Sequence, residues 1–440
     1  MKKKINTAML PGFPEFLPRE QMAFNRMLAT IRGVYERFGF IPLETPVIER
    51  PEVLKAKEDG ETSKQIYMLE HPGMAMRFDH TVPLARYVAE HQRDLVFPFR
   101  RHAIGKVYRG ERPQKGRLRE FYQCDIDVIG NGSLDLAHDA DVLAVVSAAF
   151  DALKIGEVTI RLSNRKVLQG LASSIGLADK VTDILRTVDK IDKVKREEIE
   201  RLLGELGCDA EAVEAILRVV SVKGAPADAV AALRAIGVSD DTFAEGVAEI
   251  ETVTNLAFEF GVPASRLVVD LSITRGLDYY TGTVCETNLV ACPELGSICS
   301  GGRFDNLASA YTDAALPGVG ISIGLSRLFA QLKEAGLVKL DAATPTKVLV
   351  IPMLADRSVP LSVAGTLRAA GIPTEVFLEN KKPGAKFAYA DKQGIPVTVV
   401  IGEDEIAKGV CAIKNLATKE QIEVPQAEVV AKVTEILGSL

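Results

Sequence analysis

The feature of this sequence that most constrains its fold is the stretch from Tyr108 to Gly130, YRGERPQKGRLREFYQCDIDVIG. Its second half alternates apolar with polar residues, which is the period of a half-buried strand. Apolar residues also precede it, and Gly110, Pro113 and Gly116 lie between the two runs, where they indicate a loop. The pattern therefore predicts a long antiparallel hairpin with a basic tip.

Polar side chains line one face of the predicted second strand. Residues two apart on a strand share a face, so Gln123, Asp125 and Asp127 are expected on the same side. The other strand then offers guanidinium groups, whose planar fork matches phosphate oxygens. Such a hairpin suits a ligand that is anionic at one end and cationic or hydrogen-bonding at the other. A solvated hairpin whose charges only pair with each other is the alternative that the residues leave open.

Composition limits the class of protein. The chain has 440 residues, of which 47% are hydrophobic, and this is enough for two or three domains. Its formal net charge of −6 argues against a general nucleic-acid coat protein, but not against a protein that grips RNA through local patches. The cysteines form no CxxC pair or zinc pattern, which indicates an intracellular protein with reduced thiols. No apolar run reaches about 18 residues and none follows the MKKK start, so neither a membrane span nor a secretory signal is expected.

Helical and extended patterns precede and follow the hairpin. Residues 18–38 have apolar side chains at helical spacing, and Gly39 ends that helix. The next segment, FIPLETPVIER, contains two prolines that place it at a sheet edge or an interface. Residues 134–153 are expected to form an amphipathic helix. On it, His138 and Asp141 are assigned to a solvated face rather than to a metal site, because no second pair of ligands accompanies them.

A short strand over Met74–Phe78 is predicted to lead into a helix that begins near Thr81, with Pro83 in its first turn. Asp79 lies at the end of this strand. From the residues alone, Asp79 or Thr81 is interpreted as a helix cap.

The character of the chain changes near residue 170 and again near 267. Residues 170–262 are rich in helix-forming side chains and predict a helical insertion or a small helical domain. A strand-rich block resumes at 267. Gly318 to Gly324 in that block fails the dinucleotide-binding pattern, because the third glycine comes one residue too late. A buried strand running into a helix is the better interpretation. Arg327 in the first turn opposes the helix dipole, so it is plausible as an anion ligand.

The last part of the chain reads as a separate domain. Residues 338–346 are a linker, and strands then alternate with helices from 347 onward. This alternation predicts a compact α/β domain of about 95 residues with a mostly parallel sheet. Its lysines, at positions 381, 382, 386, 392 and 408, are interpreted as ordinary solvated surface.

Together these segments resemble the histidyl-tRNA synthetases, which are class II aminoacyl-tRNA synthetases, along essentially the whole chain. The TPVIE stretch with Pro46, the stretch from Tyr108 to Asp127, and GVGISIGLSRL with Arg327 are similar to the three class II motifs. RGLDYYTGTVCE at 275–286 and SGGRFDNL at 300–307 resemble stretches that belong to the histidine enzyme in particular. FAYADKQGIPVTVVIGEDE is similar to the family's anticodon-binding domain.

The resemblance implies an α+β catalytic domain over 1–337, with an antiparallel sheet flanked by helices and a helical insertion at about 170–262. It also implies a linker over 338–346 and an anticodon-binding α/β domain over 347–440. The implied protein is a cytoplasmic homodimer without membrane contacts, and its partners are histidine, ATP and tRNA(His). Mg²⁺ is expected on the ATP phosphates, with no dedicated protein site for a metal and no prosthetic group.

The implied reaction has two steps. The histidine carboxylate attacks the α-phosphate of ATP, which gives histidyl-adenylate and pyrophosphate. A ribose hydroxyl at the 3′ end of tRNA then takes the histidyl group. Both steps develop charge on phosphate oxygens, so positioning and electrostatic stabilisation are expected to carry most of the catalysis.

The ATP-binding residues are implied by position in the motifs. Arg109 matches the arginine that holds the α-phosphate, while Glu111 and Phe121 match positions that meet adenine. Arg117 and Arg327 match contacts of the γ-phosphate.

The residues for histidine and tRNA are implied in the same way. Arg275 matches the histidine-specific arginine beside the α-phosphate and the carboxylate, and it is the second implied catalytic residue with Arg109. The α-ammonium group is received in the family by residues that match Asp79, Thr81 and Gln123. The imidazole is read by residues that match Asp127 and Tyr280, with Tyr279 beside them. The acceptor end of the tRNA is expected to meet Arg112, Gln114 and Lys115.

Two departures from the family are visible. Positions 79 and 127 are aspartates where some members carry glutamate, so the pocket distances must differ. Phe304 stands where many relatives have tyrosine, and any contact of that hydroxyl is lost.

Three other functions compete with this interpretation. A regulatory subunit of ATP phosphoribosyltransferase resembles the catalytic domain, but it predicts eroded arginines and no anticodon domain, whereas Arg109, Arg275, Arg327 and the tail are all present. An amino-acid-sensing or RNA-binding module needs neither Arg275 nor Arg327. A class II synthetase for another amino acid is disfavoured by RGLDYY and by Gln123 with Asp127.

Overall fold

The computed structural model describes residues 5–56, 61–112, 117–188, 191, 194–273, 279–340 and 343–438. The chain forms two compact units, one of residues 1–15 and 27–338, the other of residues 16–26 and 339–440. In the described part of the chain, no helix has the length and apolar character needed to cross a bilayer.

The helices are, in chain order, α1 (Pro18–Arg37), α2 (Pro51–Leu54), α3 (Glu61–Lys64), α4 (Thr81–Glu90), α5 (Ala137–Leu153), α6 (Arg165–Ser174), α7 (Val181–Val188), α8 (Arg196–Glu205), α9 (Ala210–Val220), α10 (Pro226–Ile236), α11 (Asp241–Glu259), α12 (Leu325–Glu334), α13 (Ser358–Ala369), α14 (Pro383–Gln393), α15 (Glu403–Lys408) and α16 (Val429–Gly438). The strands are β1 (Ile41–Pro42), β2 (Ile48–Glu49), β3 (Ala75–Met76), β4 (Phe99–Tyr108), β5 (Glu120–Ile129), β6 (Val158–Asn164), β7 (Lys223–Gly224), β8 (Leu267–Asp270), β9 (Thr283–Leu289), β10 (Ser297–Phe304), β11 (Gly318–Ile323), β12 (Val348–Pro352), β13 (Thr374–Val376), β14 (Val397–Ile401), β15 (Val410–Asn415) and β16 (Gln421–Pro425).

A nine-stranded sheet organises the first unit, in the order β1-β4-β5-β11-β10-β9-β6-β8-β7. Only the β1–β4 and β6–β8 pairs are parallel. The predicted hairpin is β4 with β5, paired antiparallel, so that Arg101 lies opposite Asp127 and Gly105 opposite Gln123. The predicted fold, an antiparallel sheet flanked by helices, is confirmed.

Alternation along β5 sorts its side chains between two environments. Cys124, Ile126 and Val128 are fully buried behind the sheet. The Tyr35 hydroxyl of α1 donates to the Cys124 carbonyl at 2.9 Å on that side. The polar residues of β5 therefore face the opposite side, where the cleft described below lies.

Helix α5 differs from its prediction. It is not amphipathic, because buried residues run along its length from Asp139 to Phe150. The reason is that α5 contacts β10, β11 and β6 of the sheet and also contacts α11, so it is covered on more than one side. Asp141 pairs with Arg100 at 2.7 Å, and its side chain is only 13% exposed, so that part of the predicted solvated face is wrong. Within the described ranges no cluster of metal-ligating side chains occurs.

The segment predicted to be helical forms α6 to α11 over residues 165–259, with the two-residue strand β7 at the edge of the sheet. Helix α11 packs on α6 and α5. The boundaries of an inserted domain stay a prediction.

The second unit contains a five-stranded sheet in the order β13-β12-β14-β15-β16. Strands β13, β12 and β14 are parallel, but β15 and β16 add on antiparallel. The prediction of a mostly parallel sheet is therefore wrong for its second half. Strand β16 was not predicted, although residues 421–424 alternate polar and apolar side chains with the period of a strand.

One lysine of this unit departs from the predicted solvated surface. Lys386 lies in α14 with 8% exposure, and its Nζ donates to the Pro352 carbonyl at 2.5 Å. Burial lowers the pKa of this ammonium group, and the charge of Arg357 adds to the effect. The lysines at positions 381, 382, 392 and 408 are exposed as predicted.

Candidate active site

Two adjoining cavities lie over the centre of the large sheet. The smaller one has a volume of about 200 Å³, and its walls come from β5, β10, β11 and the start of α4. Its lining residues are Asp79, Thr81, Arg109, Gln123, Asp125, Asp127, Tyr279, Tyr280, Ser300, Phe304, Gly320, Ile321 and Ser322.

The second cavity is larger, with a volume of about 470 Å³, and is lined by three arginines and two phenylalanines among other residues. Its lining includes Phe78, Arg109, Glu111, Arg117, Phe121, Gln123, Ser297, Ser300, Ser322, Gly324 and Arg327. Four residues line both cavities, namely Arg109, Gln123, Ser300 and Ser322. The two spaces are therefore neighbours with a common wall.

Asp79 stands where β3 leads into α4. Its Oδ1 accepts a hydrogen bond from the Val82 backbone N–H at 3.0 Å, so it does cap the helix as the sequence predicts. Among the described residues its Oδ2 has no hydrogen-bond partner, although the side chain is only 2% exposed. Burial raises the pKa of this carboxyl, and the helix amides and nearby arginines partly oppose the shift. Asp79 can thus cap α4 with one oxygen and receive a cation with the other.

The face of β5 supplies an amide and two further acids. Gln123 donates from Nε2 to the Ser322 hydroxyl at 2.8 Å. This leaves its Oε1, which has no partner in the described part of the chain, as an acceptor. Asp127 forms an ion pair with Arg101, with 2.7 Å between Oδ2 and the guanidinium. Burial raises the pKa of Asp127 to about 6 even though Arg101 lowers it.

Of the two aspartates on this face of β5, Asp125 has the larger upward shift of its pKa. The pKa of its carboxyl is raised to about 7, chiefly by burial; the positive charge of Arg101 lowers this pKa, and the negative charge of Asp127 raises it. The unfolded chain has a carboxyl pKa near 4. Between about pH 4 and pH 7 the folded state therefore binds more protons than the unfolded state, so the free energy of unfolding falls as pH rises through this window.

Replacing Asp125 by asparagine removes this pH-dependent cost. We expect Asp125→Asn to raise the free energy of unfolding relative to the parent by on the order of 1–2 kcal/mol at pH 8, and by much less at pH 4.5. Urea unfolding of both proteins at the two pH values measures the difference. A stability difference that is equal at both pH values contradicts the prediction.

An aromatic wall closes the smaller cavity. The rings of Tyr279 and Tyr280 meet edge to face with centroids 5.1 Å apart, and Phe304 packs on Tyr279 at 5.8 Å. Phe304 is 2% exposed, so its ring fills the space without a hydroxyl. A methyl group on Gly320 would collide with Oδ1 of Asp127, and one on Gly302 would press on the Tyr280 ring. These two glycines let the wall and the acid approach the strands closely.

Arg109 stands at the junction of the two cavities. Its guanidinium lies over the Phe78 ring at 4.3 Å and over the Phe121 ring at 5.1 Å. Burial lowers its pKa, and the carboxylates of Asp79 and Glu111 oppose the shift. Its Nε donates to the Phe78 carbonyl at 3.4 Å, which is a long bond. The two rings therefore hold the cation at the common wall of the cavities.

Two more arginines, Arg117 and Arg327, line the larger cavity. Arg327 in the first turn of α12 donates to the Leu295 carbonyl at 2.9 Å. Burial lowers its pKa, and the positive charge of Arg117 lowers it again. Arg117 itself reaches Glu111 at 3.3 Å. Like charges held in one partly buried cavity are typical of an anion-binding site.

Comparison with known proteins decides the family. The family model described as histidyl-tRNA synthetase matches residues 12–328, well over half of the chain. The chain belongs to the histidyl-tRNA synthetase family. Residues 347–436 match the family model of the anticodon-binding domain, so the second unit carries a domain of the type that binds tRNA.

Individual relatives agree with the histidyl-tRNA synthetase assignment. The histidine–tRNA ligase of Clostridium tetani is 48% identical over 425 residues, covering 96% of this chain and 97% of that protein. The histidine–tRNA ligase of Stenotrophomonas maltophilia is 50% identical over 439 residues, with 94% of each chain covered. The crystal structure of histidyl-tRNA synthetase from Nostoc sp. PCC 7120 superposes with a TM-score of 0.89 at 40% identity, covering 98% of this chain and 100% of that one.

A structure described as an ATP phosphoribosyltransferase regulatory subunit/histidyl-tRNA synthetase, from Bacillus halodurans, superposes with a TM-score of 0.74 at 21% identity. It covers 91% of this chain, and at that identity it shows a shared fold only. The regulatory alternative is thus not favoured over the ligase family.

The structure gathers most residues predicted from the histidyl-tRNA synthetase motifs. Every described residue predicted to bind histidine lines the smaller cavity, and every residue predicted to bind ATP lines the larger one. Arg112 is exposed, as expected for a contact with a macromolecule. Gln114, Lys115 and Arg275 lie outside the described residues.

Three residues of the cleft had no predicted role in binding, although Asp125 was expected on the strand face of Gln123 and Asp127. Ser322 bonds Gln123, Asp125 lines the smaller cavity, and Arg101 pairs with Asp127. Asp125 was detectable, because it alternates with Gln123 and Asp127 on the predicted strand face. The other two depend on which strands are neighbours and on their register, which local patterns do not give.

Proposed function

We propose that this chain is a histidine–tRNA ligase. It activates histidine with ATP to histidyl-adenylate, releases pyrophosphate, and transfers the histidyl group to the 3′ end of tRNA(His). The observation that carries the proposal is the pair of adjoining cavities. One is lined by acids, an amide and two tyrosines, the other by three arginines, and Arg109 lies in their common wall.

The smaller cavity fits histidine. Asp79 Oδ2, Gln123 Oε1 and the Thr81 hydroxyl receive the α-ammonium group. Asp127 accepts a hydrogen bond from one imidazole nitrogen, and the Tyr280 hydroxyl forms a hydrogen bond with the other. A carboxylate and a hydroxyl together therefore satisfy both ring nitrogens. An isostere lacking one nitrogen leaves a buried polar group unpaired, which disfavours it strongly.

The larger cavity fits ATP. Phe121 stacks on adenine and Glu111 accepts from its amino group, while Arg117 and Arg327 bind the γ-phosphate. Arg109 binds the α-phosphate oxygens. The histidine carboxylate oxygen forms a bond to the α-phosphorus as the bond from phosphorus to the bridging oxygen breaks, and the electron pair leaves with pyrophosphate.

Fixed positive charge stabilises the transition state of this step. The two substrates meet at Arg109, where negative charge grows on the α-phosphate oxygens in a cleft of low water content. Arg275 is proposed as the second fixed cation there, on its match to the family motif. Mg²⁺ is proposed to arrive with ATP on the β- and γ-phosphates, where it neutralises charge.

The second step brings in the tRNA. Its acceptor end is proposed to meet Arg112, Gln114 and Lys115, and its anticodon to meet the domain over 347–440. The 3′ ribose oxygen attacks the histidyl carbonyl carbon and AMP leaves. We place this reaction in the cytoplasm, where tRNA is charged for translation.

A homodimer is proposed as the working form. Two apolar side chains of the TPVIE region and the segment before it are exposed on short strands, Ile41 at 52% and Ile48 at 47%. Apolar groups on an unpaired edge are typical of an interface. Sedimentation of the full chain tests this directly.

Histidine-dependent exchange of labelled pyrophosphate into ATP tests the proposed function, with every other amino acid as a control and an Arg275→Ala variant beside the parent. Exchange with histidine alone, largely lost in the variant, supports it, and charging of a tRNA(His) transcript then tests the second step. Folded dimeric protein that exchanges with no amino acid contradicts the ligase proposal and leaves the regulatory paralogue.

A further inference from the structure

A buried arginine lies behind the histidine cavity without lining it. Arg101 is on β4 and only 1% exposed. Its guanidinium nitrogen Nη2 makes two contacts, an ion pair with Asp127 Oδ2 at 2.7 Å and a hydrogen bond to the His80 carbonyl at 3.0 Å. One nitrogen therefore joins the strand β5 to the start of α4.

The two contacts belong to opposite ends of the cavity. Asp127 stands at the end assigned to the imidazole. His80 lies between Asp79 and Thr81, at the end assigned to the α-ammonium group. The antiparallel register places Arg101 directly opposite Asp127, so the reach is short, and the guanidinium contacts both partners. The distance between the two ends thus depends on this guanidinium.

We propose that Arg101 is a positioning residue for histidine, which holds the Asp127 carboxylate ionised and in place relative to the Asp79–Thr81 end. The inference rests on the proposed function, because it concerns the substrate of that same site. Arg101 touches no substrate atom in this assignment and acts through Asp127.

The charges around Asp127 explain why it needs such a partner. Asp125 lies two residues before Asp127 on β5, Asp79 lies just before α4, and both line the same small cavity as Asp127. Tyr280 faces it from the wall, and Arg109 lies at the far side of that cavity. Burial lowers the pKa of Arg77 and of His80, and the positive charge of Arg101 contributes to both shifts. Of the charges that act on Asp127, Arg101 favours its ionised form, whereas burial and Asp79 disfavour it.

A neutral side chain at position 101 has two consequences, and a purely structural role shares only the second of them. Asp127 loses its counter-ion, so its pKa rises from about 6 and it is partly protonated at pH 7. It also loses its fixed position. Both effects weaken the acceptance of an imidazole N–H, but only the first is reversed by raising the pH. The substrate imidazole is already neutral above about pH 7, so it does not obscure this recovery.

The test compares Arg101→Gln and Arg101→Lys with the parent, and with Arg100→Gln as a matched control. Arg100 is the preceding residue of β4 and points elsewhere, to Asp141 at 2.7 Å and the Phe38 carbonyl at 3.0 Å. Pyrophosphate exchange gives KM for histidine and for ATP between pH 7 and pH 8.5. Calorimetric titration with histidine alone gives its Kd, and thermal unfolding reports the folded fraction.

We expect Arg101→Gln to raise the histidine KM and Kd about tenfold or more at pH 7, while the ATP KM changes less than about twofold. The histidine Kd of this variant is expected to fall toward the parent value as pH rises to 8.5. Arg101→Lys restores part of the affinity, since an ammonium group supplies the charge without the fork. Arg100→Gln leaves both KM values unchanged.

If Arg101 acts through Asp127, the effects of substituting the two residues on histidine affinity should not add. In an Asp127→Asn background, Arg101→Gln should add little to the loss of histidine affinity. If Arg101→Gln fails to fold, Arg101→Lys is measured alone, and the inference then requires a raised histidine Kd with an ATP KM that changes less than about twofold. Equal changes in both KM values, a histidine Kd that is independent of pH in Arg101→Gln, or full additivity overturns the inference. A parent enzyme that binds histidine but exchanges no pyrophosphate contradicts the proposed function instead.

Discussion

Replacing Arg109 by glutamine is expected to lower kcat for histidine-dependent pyrophosphate exchange about 10³-fold. The guanidinium lines both cavities and lies where the α-phosphate must sit if the two substrates are to meet. It is held between the rings of Phe78 and Phe121, so it is in position before the substrates bind. Glutamine keeps a donor but removes the fixed charge at the moment when phosphate oxygens gain negative charge.

The effect on binding should be smaller than the effect on rate, because Arg109 stabilises the transition state more than the ground state. A matched control is Lys106→Gln. Lys106 is two residues before the end of β4 and pairs with Glu120 at 2.7 Å, with 43% of its side chain exposed. Its replacement should change kcat less than about twofold, since exposed pairs contribute little. A loss below tenfold in Arg109→Gln contradicts the role assigned to that residue.

Asp79→Asn is expected to raise the histidine KM by about ten- to a hundredfold with nearly unchanged stability. Asparagine keeps the oxygen that accepts from the Val82 backbone N–H, so the helix cap survives. It loses the negative charge that pairs with the α-ammonium group. Steady-state kinetics with histidine and ATP varied in turn, together with the melting temperature, separate the two functions of the side chain.

The chain offers a control with the same chemistry in another place. Asp240 caps α11 by accepting from the Phe243 backbone N–H at 2.9 Å, and it lines neither cavity. Asp240→Asn should leave both stability and the histidine KM unchanged. Asp79→Ala should lose the cap and the charge together, with a stability cost of about 1 kcal/mol. If Asp79→Asn leaves the histidine KM unchanged while Asp79→Ala lowers stability, Asp79 is only a helix cap.

Local patterns predicted the elements that carry the site. Alternation gave the β4–β5 hairpin and the shared face of Gln123, Asp125 and Asp127. The stretch from Gly318 to Gly324 was expected to form a buried strand that runs into a helix. It forms β11, which is followed by α12. These succeeded because each depends only on the period of a short run of residues.

What the sequence could not supply is the order of strands. Strand β11 lies between β5 and β10, and this is what brings Ser322 to Gln123. The ion pair of Arg101 with Asp127 needs the hairpin register as well. Helix α5 was misjudged for a related reason, because its second covered side is produced by the distant helix α11. Partners brought together by tertiary packing leave no local pattern in either segment.

The position of β11 also affects how the protein is made. Both of its neighbours in the sheet, β5 and β10, precede it in the chain, and β5 ends about 190 residues before β11 begins. At a synthesis rate of about 5–20 residues per second, one edge of β5 waits on the order of 10–40 s for its partner. During this interval the apolar and acidic residues of β5 form an open strand edge, which is a template for association with other chains. The cleft and its cavities can close only after this last central strand has been added.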